Sequence, residues 1–264
     1  MRLDKAIADK GLSKSRESAK KLITRGLVLV NGKPVIKPSA EVNEKDDDIS
    51  VVGELCRYVG RGGLKLEGAL KAFDVDIKGY ICADIGASTG GFTDCMLQNG
   101  AAYVYAVDVG HGQLDEKLLK DSRVANIEGV NARYITPDLF DKKPMLITCD
   151  LSFISLRLVI DKLVHCLADG GFIITLIKPQ FEAGKANIGK NGIVKDKKVH
   201  ISMLLELSSF FNSIGLNMRG FIHSPIKGGD GNIEYIALLE SKANTAANLD
   251  IIRNTVENAF LELK

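Results

Sequence analysis

The spacing of apolar positions changes along the chain, and each change predicts a different element. Leu3, Ala6 and Ile7 recur at i, i+3 and i+4, and Ala19, Leu22 and Ile23 repeat that spacing, so two short helices with one apolar face each are predicted. Ser13 stands where it would cap the second helix, and Gly26 ends it. The alternating run Leu27–Val30, the pair Asn31-Gly32 and the segment Lys33–Ile36 predict a tight hairpin. From Tyr80 onward apolar runs alternate with amphipathic ones. Strands are predicted at 80–85, 102–107, 124–128, 145–149, 171–177, 218–223 and 233–239, with helices at about 91–99, 114–120, 155–167 and 197–214. A further helix at about 62–73 precedes the first of these strands. The tail, 246–263, has helical spacing in Ile251, Ile252, Val256, Phe260 and Leu261. Strands alternating with helices predict an α/β class, a doubly wound sheet of seven strands, with a small α/β unit ahead of it.

Composition narrows the class. The chain has 264 residues, 45% hydrophobic and 26% charged, which is ordinary for a folded soluble protein. Its longest strongly apolar run, Gly171–Ile177, falls far short of the ~18 residues a membrane helix needs. The start, Met1-Arg2-Leu3-Asp4-Lys5, lacks the apolar core of a secretory signal, which points to the cytoplasm. Cysteines 56, 82, 95, 149 and 166 form no Cys-x-x-Cys pair, so reduced thiols are expected rather than a disulfide frame or a metal site.

Charge changes the picture more. Residues 1–37 hold ten Lys/Arg against three Asp/Glu, a net of +7, and the rest of the chain carries −5. A basic arm on an acidic body predicts a surface for a polyanion. Lys14, Lys21 and Arg25 share one helical stripe, with Arg16 and Lys20 beside it, a surface able to settle on phosphates without reading bases. The segments Arg2-Leu3-Asp4, Gly11-Leu12, Ser15-Arg16, Leu22-Ile23, Gly26, Val28, Val30-Asn31-Gly32 and Lys37-Pro38-Ser39 resemble the S-four-like RNA-binding domain, over residues 1–52. The acidic cluster Glu44, Asp46, Asp47, Asp48 reads as a solvated turn. Residues 53–60 form the expected linker, residues 61–245 the main domain, and 246–264 a helix packed back onto it.

The first strand of that domain runs into Asp84-Ile85-Gly86-Ala87-Ser88-Thr89-Gly90-Gly91-Phe92. Glycine is needed where backbone approaches a ligand closely or takes positive φ, and the following helix offers free N–H groups. The spacing departs from Gly-x-Gly-x-x-Gly, which counts against a dinucleotide. Asp108, 24 residues after Asp84, ends the second strand, where an acid can accept from both hydroxyls of a bound ribose. Asn131, past the third strand, is placed to meet an adenine edge. The segment Gly184–Asn191 nearly spells a P-loop, but Asn191 stands where Ser or Thr is needed; a basic loop near the substrate is the expectation.

Lys65 on the helix before the first strand, Asp150 ending the fourth, Lys178 ending the fifth and Glu234 entering the last complete the pattern. Ligands of open α/β sheets bind at the carboxyl ends of the strands. These four resemble the Lys-Asp-Lys-Glu tetrad of FtsJ-type ribose 2′-O-methyltransferases. With Arg61–Leu66, Ala106–Gly110, Asp150–Ser155 and Lys178–Glu182, the chain resembles the TlyA family, some of whose members carry the label haemolysin. The resemblance implies a Rossmann-like class I methyltransferase sheet, S-adenosylmethionine as cofactor, and transfer to cytidine 2′-hydroxyls of ribosomal RNA or ribosomal subunits. A start at Met1-Arg2 resembles the shorter family form, implying the large subunit. It also implies a cofactor site of Asp84, Gly86, Ala87, Ser88, Gly90, Gly91, Phe92, Asp108, Asn131 and Asp150.

A ribose hydroxyl is a weak nucleophile and needs a base beside it. A free lysine holds its proton at neutral pH; a second cation nearby favours release and a carboxylate opposes it. Lys178 is the expected base, Lys65 its electrostatic partner, and Asp150 and Glu234 position the amines. Two other classes remain: an RNA-binding assembly factor without turnover, and a membrane-lytic protein, which no apolar span supports.

Overall fold

The computed structural model describes residues 1–24, 26–43, 46–52, 56–241 and 249–263. It divides into two compact units, Met1–Arg57 and Tyr58–Lys264.

The first unit carries helices α1 (Leu3–Asp9) and α2 (Arg16–Thr24) and strands β1 (Val28–Val30), β2 (Lys33–Pro34) and β3 (Ile49–Val51). The two apolar faces meet as predicted, with Leu3, Ile7, Leu22 and Ile23 packed on Val28 and Ile49 in one core. Asn31 and Gly32 both take positive φ, 52° and 73°, the geometry of a two-residue hairpin turn. Strand β3, which the periodicity left undefined, pairs antiparallel with β1 on the side away from β2. Two expectations need correction. Helix α2 begins at Arg16, and Ser15 Oγ rather than Ser13 accepts a first-turn N–H, from Ser18 at 3.1 Å. Lys14 therefore lies in the approach to the helix and not on its stripe. The acidic turn does more than meet solvent. Asp47 accepts from Asn31 Nδ2 at 2.8 Å and from Asn43 N at 2.7 Å, tying the hairpin to the strand that follows. Glu44 and Arg25 lie outside the described residues.

The second unit carries α3 (Gly62–Ala72), β4 (Ile81–Ile85), α4 (Gly91–Gln98), β5 (Tyr103–Val107), α5 (Glu116–Leu119), β6 (Val124–Ile127), β7 (Leu146–Cys149), α6 (Ile160–Cys166), β8 (Phe172–Ile177), α7 (Pro179–Glu182), α8 (Lys197–Ser213), β9 (Asn217–His223), β10 (Tyr235–Glu240) and α9 (Leu249–Glu262). Its seven strands lie in the order β6-β5-β4-β7-β8-β10-β9. The first five are parallel, and β10 runs antiparallel to both its neighbours. Strands β7 and β8 are buried at every residue, which is why they read as unbroken apolar runs rather than alternation. Chain order reverses between β4 and β7, and the crevice at that point is where such sheets hold ligands. The predicted helix at 155–167 is a 3-10 turn, Leu156–Leu158, followed by the shorter α6. Helix α9 buries Ile252, Val256 and Ala259, while Ile251 and Leu261 are exposed; the i, i+4, i+7 face takes the small Ala259 in place of the larger Leu261. The domain end expected at 245 lies outside the described residues.

Tyr58, Val59 and Gly60 belong to the second unit. The Tyr58 ring is buried against Gly63, and Val59 N donates to Asp94 Oδ2 at 2.9 Å. Cys82, Cys149 and Cys166 are buried thiols outside any disulfide. Among the described residues no helix is long and apolar enough to cross a membrane, and no cluster of metal-ligating side chains occurs.

Candidate active site

Beyond β4 the chain turns sharply into α4. Gly86 takes φ 85°, and a Cβ there would lie 2.5 Å from the Asp150 carbonyl oxygen, so only glycine lets the loop pass beneath the end of β7. Gly90 takes φ 90° as the residue before α4, and a Cβ on it would collide with Leu118.

Two cavities open above this loop. The larger, about 490 Å³, lies between the glycine loop, the end of β5 and the segment after β7; Asp108, Asn131, Arg133, Ser152 and Phe153 line it. The smaller, about 160 Å³, lies between the same loop and Gly60-Arg61-Gly62, with Ala87, Gly91 and Phe92 in its wall. Gly86, Ser88 and Asp150 line both, so the two form one elongated cleft. Asp108 accepts Ser88 N on one oxygen and Gly110 N on the other, each at 2.7 Å, and each oxygen keeps a second lone pair. Asn131 lines the larger cavity, but its side-chain oxygen accepts Arg133 N at 3.0 Å, capping a 3-10 turn.

Two of the residues expected at the cofactor do not face the cleft. Gly90 serves the turn. Asp84 is buried, and its carboxylate accepts from Thr93 N at 2.9 Å, Thr93 Oγ1 at 2.7 Å and Thr148 Oγ1 at 3.1 Å. Burial pushes its pKa up to about 6, against the pull of the threonine hydrogen bonds. The residue lies within the register of β4, paired with Thr148 and Ala106, one step short of the strand end that lines the cleft. It fixes the first turn of α4 instead.

The four candidate catalytic side chains form two ion pairs. Lys65 Nζ lies 2.5 Å from Glu234 Oε2, both nearly buried. Lys178 Nζ lies 2.6 Å from Asp150 Oδ1, and its hydrogen bond goes to Ser152 Oγ at 3.0 Å. The Asp150 contact is charge to charge without hydrogen-bond alignment, since Oδ1 has no hydrogen-bond partner. Sheet register brings the pairs together. The last β8–β10 pair is Tyr235 opposite Ile177, so Glu234 and Lys178 leave neighbouring strands at the same level. Helix α3 adds Lys65 from the side, with Gly62 set so that a Cβ would lie 4.0 Å from Asp150 Oδ2.

Sequence reasoning missed the residues that hold this arrangement. The buried Glu182 accepts from Ser155 Oγ and Leu156 N, each at 2.7 Å, fastening α7, which follows Lys178, to the loop that follows Asp150; burial raises its pKa. Ser152 was visible only as two residues past Asp150. Phe153 is 89% exposed at φ 63° and its ring packs on Phe181, so it is no core residue. Cys149, at the end of β7, is buried, which pushes its thiol up to about 12 and removes it as a nucleophile. The near-P-loop segment is a loop with one 3-10 turn, Lys185–Asn187; its two lysines, 185 and 190, are exposed, as are Lys195, Lys197 and Lys198 beyond it. In the first unit, Lys14, Arg16, Lys20 and Lys21 are exposed, but Arg16 is tied to Asp4 at 3.1 Å.

Comparison with known proteins agrees with this architecture. Residues 58–241 match the FtsJ-like methyltransferase family and residues 1–48 the S4 domain. The Bacillus subtilis protein YqxC, whose name provisionally designates an rRNA methyltransferase, is 47% identical over 268 residues, covering 100% of this chain and 95% of the relative. The 16S/23S rRNA (cytidine-2′-O)-methyltransferase TlyA of Mycobacterium tuberculosis is 38% identical over 261 residues, 99% of this chain and 97% of the relative. A solved structure from Streptococcus thermophilus, provisionally named a hemolysin, is 44% identical with a TM-score of 0.79, covering 99% of this chain and 96% of that one. Fold, site and relatives converge, and the chain belongs to the TlyA family, in which an S4 domain stands ahead of an FtsJ-like methyltransferase domain.

Proposed function

We propose that this protein transfers a methyl group from S-adenosylmethionine to a cytidine 2′-hydroxyl of ribosomal RNA, in the large subunit. The observation that carries this reading is the pair of lysine–carboxylate contacts at the strand ends, set in register by β8 and β10 beside a two-part cleft. The residues fit the cofactor: the larger cavity, with the free lone pairs of Asp108, suits a nucleoside, and the smaller a short polar chain. When bound, the cofactor supplies a methyl carbon on a sulfonium, open to attack from the side opposite its sulfur.

In its neutral amine form Lys178 accepts the proton of the 2′-hydroxyl on Nζ as the hydroxyl oxygen takes the methyl. Asp150 and Ser152 aim that amine, and Glu234 aims Lys65, whose charge orients the hydroxyl and favours the developing alkoxide. The residues of 1–52 hold the RNA by its phosphates, and the unit that begins at Tyr58 carries out the methyl transfer. A ribosomal substrate places the protein in the cytoplasm.

The test is methyl transfer from labelled S-adenosylmethionine by the full chain to 50S subunits, 30S subunits and protein-free 23S RNA, with the modified position mapped by 2′-O-methyl sequencing. One cytidine labelled in 23S RNA is expected. Label on a base, or no label on any RNA, overturns the reading; label confined to 16S RNA overturns the choice of subunit.

A further inference from the structure

Arg61 lines this cleft, and the chemistry above gives it no work. It precedes α3 with φ −60° and ψ −24°, so its backbone is already helical and Lys65 stands one turn ahead on the same face. It lines the smaller cavity between Gly60 and Gly62. Its guanidinium points to the loop that leads into β10: a Cβ on Gly229 would lie 4.0 Å from Nη2, and one on Gly228 would collide with Glu234 Oε1. The head group is thus on the side of the cleft where Lys65 meets Glu234. Both lysines there are spent on carboxylates. The exposed side chain of Arg61 makes no hydrogen bond or ion pair among the described residues.

A cation left without a counter-charge at this place fits an anion that arrives with the substrate. A ribose 2′-hydroxyl sits beside its own 3′-phosphate, and the span between them is comparable to the one helical turn, ~5.4 Å, that separates Arg61 from Lys65 along α3. A planar guanidinium can take two phosphate oxygens at once, which fixes direction as well as distance. We propose that Arg61 clamps the phosphodiester adjoining the reacting ribose, and so sets the polarity with which the RNA strand crosses the cleft. This rests on the reading of RNA as substrate and adds the group that orients it. The carboxylate of the cofactor's amino-acid end is the competing anion.

The test compares Arg61→Ala and Arg61→Lys with the unaltered full chain. Methyl transfer to 50S subunits is followed across a range of salt, and binding of S-adenosylhomocysteine is measured by calorimetry. For Arg61→Ala, kcat/KM for RNA should fall about 10- to 100-fold, and the slope of log KM against log salt should drop by about 0.7–0.9. Calorimetric affinity should stay within twofold. Arg61→Lys should recover the salt slope but only part of kcat/KM, since it keeps the charge and loses the fork. If alanine lowers the melting temperature, Arg61→Gln, which keeps the stem, replaces it. An unchanged kcat/KM for RNA overturns the proposal, and so does a loss of cofactor affinity large enough to account for the defect. An unaltered chain that labels no RNA removes the underlying reading as well, a result distinct from a change seen in the variant alone.

Discussion

Asp4 in the first unit and Asp84 in the second are both closed to solvent, 0% and 1% exposed, yet they hold their protons in opposite ways. Asp4 lies under Arg2 at 3.0 Å and Arg16 at 3.1 Å. The Arg2 hydrogen bond above all, with Arg16 behind it, overcomes burial and brings the carboxyl down to about 2. Asp84 has only N–H and hydroxyl donors, and there burial wins. Arg2 and Arg16 stay half-exposed, 47% and 52%, so Asp4 serves to aim these two cations outward, where a polyanion can reach them. Asp84 aims backbone, the turn that shapes the cleft. At the strand ends the second unit returns to the device of the first, with Glu234 and Asp150 each carrying a lysine.

The contrast can be broken most severely at Lys178. Replacing it with Ala should cut kcat by about 10³-fold, while affinity for S-adenosylhomocysteine stays unchanged, because Lys178 lines neither cavity; full turnover in a folded variant would remove the assigned base. Glu182→Gln keeps the shape and loses the charge that fastens α7, and a roughly tenfold loss of kcat is expected, with KM for RNA steady. A change in KM alone would place Glu182 outside the alignment of Lys178.

Melting against pH separates the two aspartates. The Asp4 contribution is present above its unfolded pKa of 3.8 and lost as pH falls toward about 2, so the gap between the unaltered chain and Asp4→Asn should close over that interval. Asp84 has a raised folded value, so its contribution is present below 3.8 and lost as pH rises through about 6; the advantage over Asp84→Asn should shrink as the solution is made less acidic. Gaps that move in the same direction would refute the comparison. The smallest effect belongs to the exposed lysines: Lys20→Gln with Lys21→Gln should weaken RNA binding a few-fold and reduce the salt slope by about 1.4–1.8. No change in slope would take these lysines out of the RNA contact.

How much of this was legible in the chain follows from where the signals are local. A charge that ends an apolar run marks a strand end, so Lys178 after Phe172–Ile177 and Asp150 after Leu146–Cys149 could be read directly. Asp84 carries the same signature, an acid near the end of a strand, but lies one step inside the register. Whether such a residue faces ligand or core depends on neighbouring strands, which are far away in sequence. The start of α2 was ambiguous because Ser13 and Ser15 are both cap residues, and only the hydrogen bond to Ser18 N decides. Phe153 was hidden for another reason. A bulky residue at positive φ runs against local preference, so propensity argues for the opposite of what the loop does. The pairing of Glu234 with Lys65, 169 positions apart, is a product of topology alone.

The antiparallel match of β10 to β8 carries a rule of parity. Side chains alternate from face to face, so inserting one residue between Glu234 and Tyr235 would swing the Glu234 carboxylate to the wrong side of the sheet. Against β9 the same strand already shifts register between Leu238 and Leu239, so that outer flank has slack the inner one lacks. Insertions and deletions should therefore be tolerated toward the margin formed by β9 and rejected at the entrance to β10.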